Sequence, residues 1–234
     1  MTERRLKIIG HIRTDFPEKF GLPRQSGLAR GLIGRIELLA PYRNEDAIRG
    51  IEDFSHLWLL WDFSQVPEKE GFEPLVRPPR LGGNERMGVF ATRSTFRPNP
   101  LGLSVVRLER VERTEDGPVL VVSGVDMMDG TPLYDIKPYL PYADAVPGAV
   151  GGFAQQHQYD RLKVHFPEEW LRMIPEDRRE ALMETLALDP RPAYHRDPDR
   201  VYGFGFQDKD VRFRVNGSEL TVIEIKDYDR KEGT

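Results

Sequence analysis

Gly102-Leu103-Ser104-Val105-Val106-Arg107-Leu108-Glu109-Arg110-Val111, followed across Glu112–Pro118 by Val119-Leu120-Val121-Val122-Ser123-Gly124-Val125, decides the fold class of this chain. Both runs are of strand length, rich in valine and bounded by Gly, Pro or Asp, which punctuate strands. Outward from them, His56–Phe63 and Met87–Thr92 read as strands of the same kind, and Leu6–Ile12 and Leu32–Leu39 as two further apolar runs. Asn44 is placed to cap one helical turn through Arg49, stopped by Gly50. No helix long enough for a crossover lies between these runs. That argues against a doubly wound sheet and for a mainly β fold, an antiparallel sheet closed into a barrel.

Two Pro/Gly-rich stretches interrupt the pattern, Val66–Arg86 and Lys137–Gly152. Loops of such length inside a domain are usually functional or disordered. The second also reads as a boundary. Beyond it Pro167-Glu168-Glu169-Trp170 and Pro175-Glu176-Asp177 start helices, with proline and acids in the first turn. Helical spacing runs through Leu182 and Leu186 to Leu188, and Asp189-Pro190-Arg191-Pro192 ends it. Val211–Val215, Asn216-Gly217 and Ser218–Ile225 spell a hairpin with a favoured two-residue turn. The expected organisation is a barrel domain over residues 1–150 and a small α+β, helix-plus-hairpin domain over 151–234.

Composition narrows the chemistry. The 234 residues include no cysteine, which excludes disulfides, thiolate metal sites and a cysteine nucleophile. The start of the chain is too charged for a signal peptide, and Leu57-Trp58-Leu59-Leu60-Trp61 is far too short to span a membrane. A cytoplasmic protein is expected. Trp58 and Trp61 read as core or interface residues. Residues 1–110 carry 18 Lys and Arg against 14 acids, whereas residues 111–234 carry 16 against 24. Arginine supplies 26 of the 34 basic residues, which suits oxyanion recognition and equally a coding bias.

Gly203-Phe204-Gly205 lacks the rest of a dinucleotide fingerprint, and no phosphate loop, nucleophile elbow or zinc-protease motif occurs. Three regions hold the chemistry. Arg77–Gly102 concentrates Arg77, Arg80, Arg86, Arg93 and Arg97 against Glu85 alone, with Phe90 and Phe96 between them. Cations for phosphates and rings for bases are what single-stranded nucleic acid requires. Asp126–Pro141 contains an Asp129-Gly130 turn whose amides, with the Thr131 hydroxyl, are candidates to hold a polar ligand. Asp126, Asp129 and Asp135 lack calcium-loop spacing, so no metal is expected. Pro23-Arg24-Gln25 and Ser55-His56-Leu57-Trp58 form the third region, each weak alone.

These strings together resemble the TrmO (TsaA/YaeB-like) family of S-adenosylmethionine-dependent tRNA methyltransferases. The resemblance lies in Pro23-Arg24-Gln25, Ser55–Trp58, all of Arg77–Gly102, Asp129-Gly130-Thr131-Pro132 through Pro141, and Asp189–Tyr194. It implies a single-sheet β-barrel methyltransferase that acts as a homodimer. It also implies methylation of the exocyclic nitrogen of threonylcarbamoyl-adenosine, 3′ of the anticodon in threonine-decoding tRNA. Carried over residue by residue, it assigns cofactor contacts to Pro23, Arg24, Gln25, His56, Leu57, Arg86, Asp129, Gly130, Thr131 and Pro132, and substrate contacts to Arg93 and Arg97.

For such a reaction the acceptor nitrogen must lose its proton. Asp126, Asp129, Asp135, neutral His56 and the substrate's own threonyl carboxylate are the candidate acceptors. An arginine clamp on that carboxylate would select the modified base. In the tail, Arg191, Arg196, Arg200, Arg212 and Arg214 are candidates to grip the anticodon arm, with Tyr194 or Phe213 stacking on a base. Two other classes fit the same residues: a non-catalytic RNA- or nucleotide-binding barrel, and a metal-assisted phosphoesterase.

Overall fold

The computed structural model describes residues 5–67, 71–78, 85–156, 161–192, 195 and 197–229. Arg80, His157, Tyr194 and Arg196 therefore lie outside the described residues. In chain order the elements are β1 (Gly10–Thr14), β2 (Ile33–Leu38), β3 (His56–Asp62), β4 (Leu75–Val76), β5 (Met87–Gly88), β6 (Leu101–Thr114), β7 (Gly117–Ser123) and β8 (Thr131–Pro138). Then follow α1 (Pro141–Asp144), α2 (Phe153–Gln156), β9 (Lys163–His165), α3 (Glu168–Leu171), α4 (Glu176–Ala187), β10 (Tyr202–Phe206), β11 (Lys209–Asn216) and β12 (Glu219–Asp227).

Six strands close into an antiparallel barrel in the order β1-β2-β7-β6-β3-β8. The mainly β barrel expected from the strand runs is the observed architecture. Alternation does the work: Leu57, Leu59 and Trp61 of β3 are buried, while Trp58 and Leu60 between them are half-buried. Gly102, Ser104, Val106 and Leu108 turn inward from β6 with the same period. Ile12, Ile36, Leu120 and Leu133 complete the barrel interior.

One contact fixes the pairing of β3 with β6. Trp61 stands opposite Gly102 in the ladder, and a Cβ on Gly102 would come within 2.1 Å of the indole. The indole occupies the space that glycine leaves. Its Nε1 donates to Ser104 Oγ at 3.0 Å, inside the core.

Several expectations need correction. The strand placed at Met87–Thr92 pairs only over Met87–Gly88, with Val76 and Leu75. Val89–Ala91 then turns as a 3-10 helix, closed where Thr92 Oγ1 donates back to the Val89 carbonyl at 2.9 Å. The first strand begins at Gly10 rather than Leu6 and runs on to Thr14. β8 occupies the stretch read as turn and loop; its prolines, Pro132 and Pro138, sit next to its ends, where a missing donor is tolerated. The Lys137–Gly152 loop is broken by α1. Asn44 caps as expected, its side chain accepting from the Asp46 amide, although the turn it starts is 3-10.

The chain resolves into two compact units. The first comprises Met1–Ile12, Arg35–Val122 and Gly130–Gln158, and the second Arg13–Gly34, Ser123–Asp129 and Tyr159–Thr234. Within the second, β10-β11-β12-β9 form a sheet in which only the last pair is parallel. The hairpin is present, but Asn216 still pairs with Glu219, so its two turn residues are Gly217, at φ 58°, and Ser218, one position later than expected. Phe16 is fully buried in this unit, edge-on to Phe206 at 5.5 Å and stacked on Phe204 at 6.2 Å. Gly21, at φ 94°, lies so close to the Phe204 ring that a Cβ would stand 2.5 Å from it. Glu18 accepts from the Gly205 amide and Glu184 of α4 from the Gly31 amide. Phe213 is fully buried, stacked on Tyr202, so its expected role as a base-stacking residue is not available to it.

Asp15 is the polar anchor of this unit. Its Oδ1 accepts from Gln207 Nε2 at 3.0 Å, and its Oδ2 lies 3.3 Å from Arg178 Nε. The latter pair is near enough for charge attraction but misaligned for a hydrogen bond, so both buried atoms lack one. Burial pushes the Asp15 carboxyl above its ordinary 3.8, with Gln207 and Arg178 opposing the shift.

Two predictions follow from this packing. Gly102→Ala should cost about 3 kcal/mol or more, the upper range for overpacking, because backbone and indole must both move. Urea denaturation of the variant checks it. For Asp15, the raised value means the folded protein binds the proton more tightly than the unfolded chain. Its contribution is greatest at low pH and declines as pH rises through the raised value. Asp15→Asn should therefore gain on wild type as pH rises from about 4, read by urea midpoints of both proteins at stepped pH.

Candidate functional site

The Val89–Pro100 part of the arginine-rich loop is ordered by its own side chains. Val89, 1% exposed, anchors the 3-10 turn, and its amide donates to the Pro74 carbonyl. Thr92 Oγ1 accepts from the Ser94 amide and Ser94 Oγ from the Phe96 amide, two successive hydroxyl turns. Arg97 closes the loop. Its Nη1 donates to the Thr92 carbonyl at 2.7 Å and the Val89 carbonyl at 3.4 Å, and its guanidinium lies 5.9 Å from the Phe90 centroid. At the far end, the Phe63 amide holds the Pro100 carbonyl at 3.0 Å, and Trp61 packs on Phe63 at 4.3 Å. Arg77, Arg86 and Arg93 are exposed.

A second cluster forms where β3 begins. His56 Nδ1 lies 2.9 Å from Ser55 Oγ, and the imidazole meets Tyr139 edge-on at 6.2 Å. Trp58 also packs on Tyr139, and its Nε1 donates to Asp144 Oδ2 at 3.0 Å. The same oxygen accepts from the Leu140 amide at 2.7 Å, tying α1 to the strand. Sequence reasoning singled out His56 but missed Asp144. A single acid after Pro141 carries no motif, and only the fold brings Trp58 to it.

The Asp129-Gly130 turn exists, with Gly130 at φ 77°, a conformation that favours glycine. Its amides are not open to a ligand, however. That of Asp129 donates to the Phe16 carbonyl and that of Gly130 to the Ile12 carbonyl, each at 2.8 Å. Asp129 Oδ1 accepts from the Thr14 amide. Asp135 pairs with Lys137 at 2.9 Å and accepts from the Ile136 amide; Asp126 is half-buried. Leu57 points into the core at 0% exposure and Thr131 is 5% exposed, while Pro132 is half-buried. Tyr134 hydrogen-bonds Asp62, and burial together with that carboxylate raises its pKa above the usual value.

His56, Leu57, Arg86, Arg93, Arg97, Gly130, Thr131, Pro132 and Asp135 thus belong to the first unit. Pro23, Arg24, Gln25, Asp126 and Asp129 belong to the second. There, buried Pro23 and half-buried Arg24 line a cleft of about 250 Å³ with Lys19, Leu22, Leu28 and Leu188. Its far wall holds Asp189 and Arg191 in a two-pronged ion pair at 2.8 and 3.0 Å. Gln25 turns its amide to the Arg24 carbonyl. Apolar walls beside Arg24 and Lys19 suit a ligand with an aromatic end and an anionic end, as an adenosyl amino acid has. Among the described residues, no three His, Asp or Glu side chains gather as a metal site would need.

Residues 11–145 match the family model of the tRNA-methyltransferase O N-terminal domain, and residues 159–228 that of the TrmO C-terminal domain. The chain belongs to the TrmO family. A tRNA (adenine(37)-N6)-methyltransferase of Escherichia coli is 46% identical to it over 226 residues, 93% of this chain and 96% of the relative. A Pseudomonas aeruginosa protein that goes by the name of an S-adenosylmethionine-dependent methyltransferase is also 46% identical, over 92% of this chain and 94% of its own. A crystal structure of TrmO from P. aeruginosa superposes with a TM-score of 0.78 at 38% identity, covering 97% of this chain and 99% of that one.

In this TrmO chain Arg97 is engaged by its own loop. Lysine keeps the charge but not the planar fork that reaches two carbonyls and a ring together. Arg97→Lys should loosen the loop, seen as faster hydrogen exchange at the Thr92, Ser94 and Phe96 amides while amides of β6 keep their protection.

Proposed function

We propose that this protein methylates the exocyclic nitrogen of adenine 37 in tRNA with S-adenosylmethionine, and that its substrate base carries the threonylcarbamoyl group, in threonine-decoding tRNA. The methyltransferase reading rests on family membership over both parts of the chain. The observation that carries the RNA side is the exposure of Arg77, Arg86 and Arg93 in one arginine-rich stretch with the open rings of Phe90 and Phe96.

When bound, S-adenosylmethionine supplies a methyl group already activated on a sulfonium. In the second unit, Pro23, Arg24 and Gln25 are the residues that would hold it. Arg24 offers a guanidinium to the amino-acid carboxylate, and Pro23 with its leucine neighbours offers apolar walls to the adenosyl group. The chain's main task is to hold donor and acceptor in line at about 3–3.5 Å.

Of the candidate proton acceptors, His56 is the best disposed. Asp129 and Asp135 are already committed to backbone amides and, for Asp135, to Lys137. Ser55 Oγ engages Nδ1 of His56, which leaves Nε2 as the acceptor in the neutral tautomer with hydrogen on Nδ1. Arg93 clamps the threonyl carboxylate with two hydrogen bonds, and Arg97 keeps the loop in shape to present it. Residues 1–150 carry the chemistry, and residues 151–234 add contact with the anticodon arm, for which Arg200 and exposed Arg214 are the described candidates. A cytoplasmic homodimer completes the reading.

The test is mass spectrometry of nucleosides from threonine tRNA, with and without the threonylcarbamoyl group, after incubation with protein and S-adenosylmethionine. One added methyl on the modified nucleoside alone is expected. Arg93→Ala should lower that selectivity by about tenfold or more, the worth of a charge-assisted pair. RNA binding without any methyl transfer would instead mark a binding module, and methylation of plain adenosine at equal rate would defeat the clamp.

A further inference from the structure

We infer that Phe90, backed by Phe72 and Arg97, is a stacking platform for an unpaired nucleobase of the RNA; this rests on the tRNA reading above and adds to it the residues that grip the loop. One turn of 3-10 helix sends Val89 into the core and Phe90 outward, 72% exposed. Phe72, 55% exposed, stacks on it with centroids 5.9 Å apart and planes 24° from parallel. The Arg97 guanidinium meets the same ring and is held there by two carbonyls. The ring is therefore fixed in place before any partner arrives, and most of it stays open.

Open aromatic surface of this kind marks a contact site, and charge identifies the occupant. The β4–β5 ladder pairs Val76 with Met87, so its register brings Arg77 and Arg86 to facing positions just past its end. Facing like charges oppose each other, and the pair asks for an anion. A second copy meeting this patch about a two-fold axis would set arginines against arginines. An RNA loop brings phosphates to the arginines and base faces to Phe90, and stacking of that kind tolerates any base. A splayed anticodon loop is such a ligand.

The experiment uses the full chain and a synthetic anticodon stem-loop RNA, with 2-aminopurine beside the target adenine. Binding to wild type should quench the 2-aminopurine. Phe90→Ala should abolish the quench and weaken binding about ten- to hundredfold, and Phe90→Trp should restore both. The slope of affinity against salt should stay unchanged in Phe90→Ala but fall by about one in Arg77→Ala, separating stacking from phosphate contact. Phe90→Leu, which keeps an apolar side chain without a ring, should behave like Phe90→Ala, and circular dichroism confirms that the variants fold. Wild-type affinity in Phe90→Ala and Phe72→Ala, with quenching retained, overturns the inference and leaves the methyltransferase reading standing. So does a smaller sedimenting species in Phe90→Ala at unchanged RNA affinity, since a second copy then covers the ring. Absence of any RNA binding by wild type overturns both.

Discussion

The indole of Trp61 lying across Gly102 is the contact on which the arginine loop depends. β6 begins where the loop ends, so whatever fixes Gly102 fixes the loop's exit from the barrel. Glycine is needed there for space: its missing Cβ is the room the ring fills. A buried indole N–H without a partner would cost about 1–3 kcal/mol, and Ser104 supplies the acceptor two residues further along the same strand. From Trp61 the stack continues to Phe63, whose amide holds the Pro100 carbonyl. The other end is pinned by buried Val89. A loop held at both ends can keep exposed arginines and rings in place, at little ordering cost when a partner binds.

The treatment of arginine differs sharply between that loop and the remainder of its unit. Arg35 and Arg110 converge on Glu112, Arg113 reaches Glu45 and Glu52, and Arg107 pairs with Glu109. These are surface pairs of small individual worth, but each sets a barrel arginine beside an acid. Arg77 and Arg86 have no such carboxylate among the described residues. A coding bias would raise arginine everywhere and predict the same pairing everywhere. Two such arginines brought face to face at the end of one ladder are more than a coding bias asks for.

The sequence revealed most where structure is set by neighbours in the chain. Alternation in Leu57-Trp58-Leu59-Leu60-Trp61 marks the inward face of β3 because a strand's period is two. Gly217 marks its hairpin because the turn needs a positive φ, although the turn closes over Gly217-Ser218 rather than Asn216-Gly217. What escaped was set by distant partners. β8 hid behind Pro132 and Pro138, whose missing donors matter little near the ends of a strand. β9, three residues long, exists only because Leu220 and its neighbours on β12 accept it in parallel. The Asp129 and Gly130 amides looked open because the carbonyls that take them belong to Phe16 and Ile12, far away in sequence. The site was legible as a set of residues but not as a set of roles. Arg97 shows why: its charge suggested a ligand contact, while its geometry serves the loop.

Arg13–Gly34 extends the same lesson to the cofactor. The segment lies within the amino-terminal family match, yet in the second unit it packs on residues 159–234 as well as on Ser123–Asp129. Phe16 inserts among Phe204 and Phe206, Asp15 meets Gln207 and Arg178, and Glu18 and Gly31 each exchange a hydrogen bond with this part of the chain. Pro23 and Arg24 share their cleft with Thr185, Leu188 and Pro190. The shape of the Pro23–Gln25 loop is thus dictated by α4 and β10 as much as by its own prolines and glycines. If that loop holds the methyl donor, the carboxyl-terminal residues serve the cofactor. They form the mould in which the donor's seat is cast, and substitutions on the inner face of α4 would be felt at the cofactor before they were felt at the RNA.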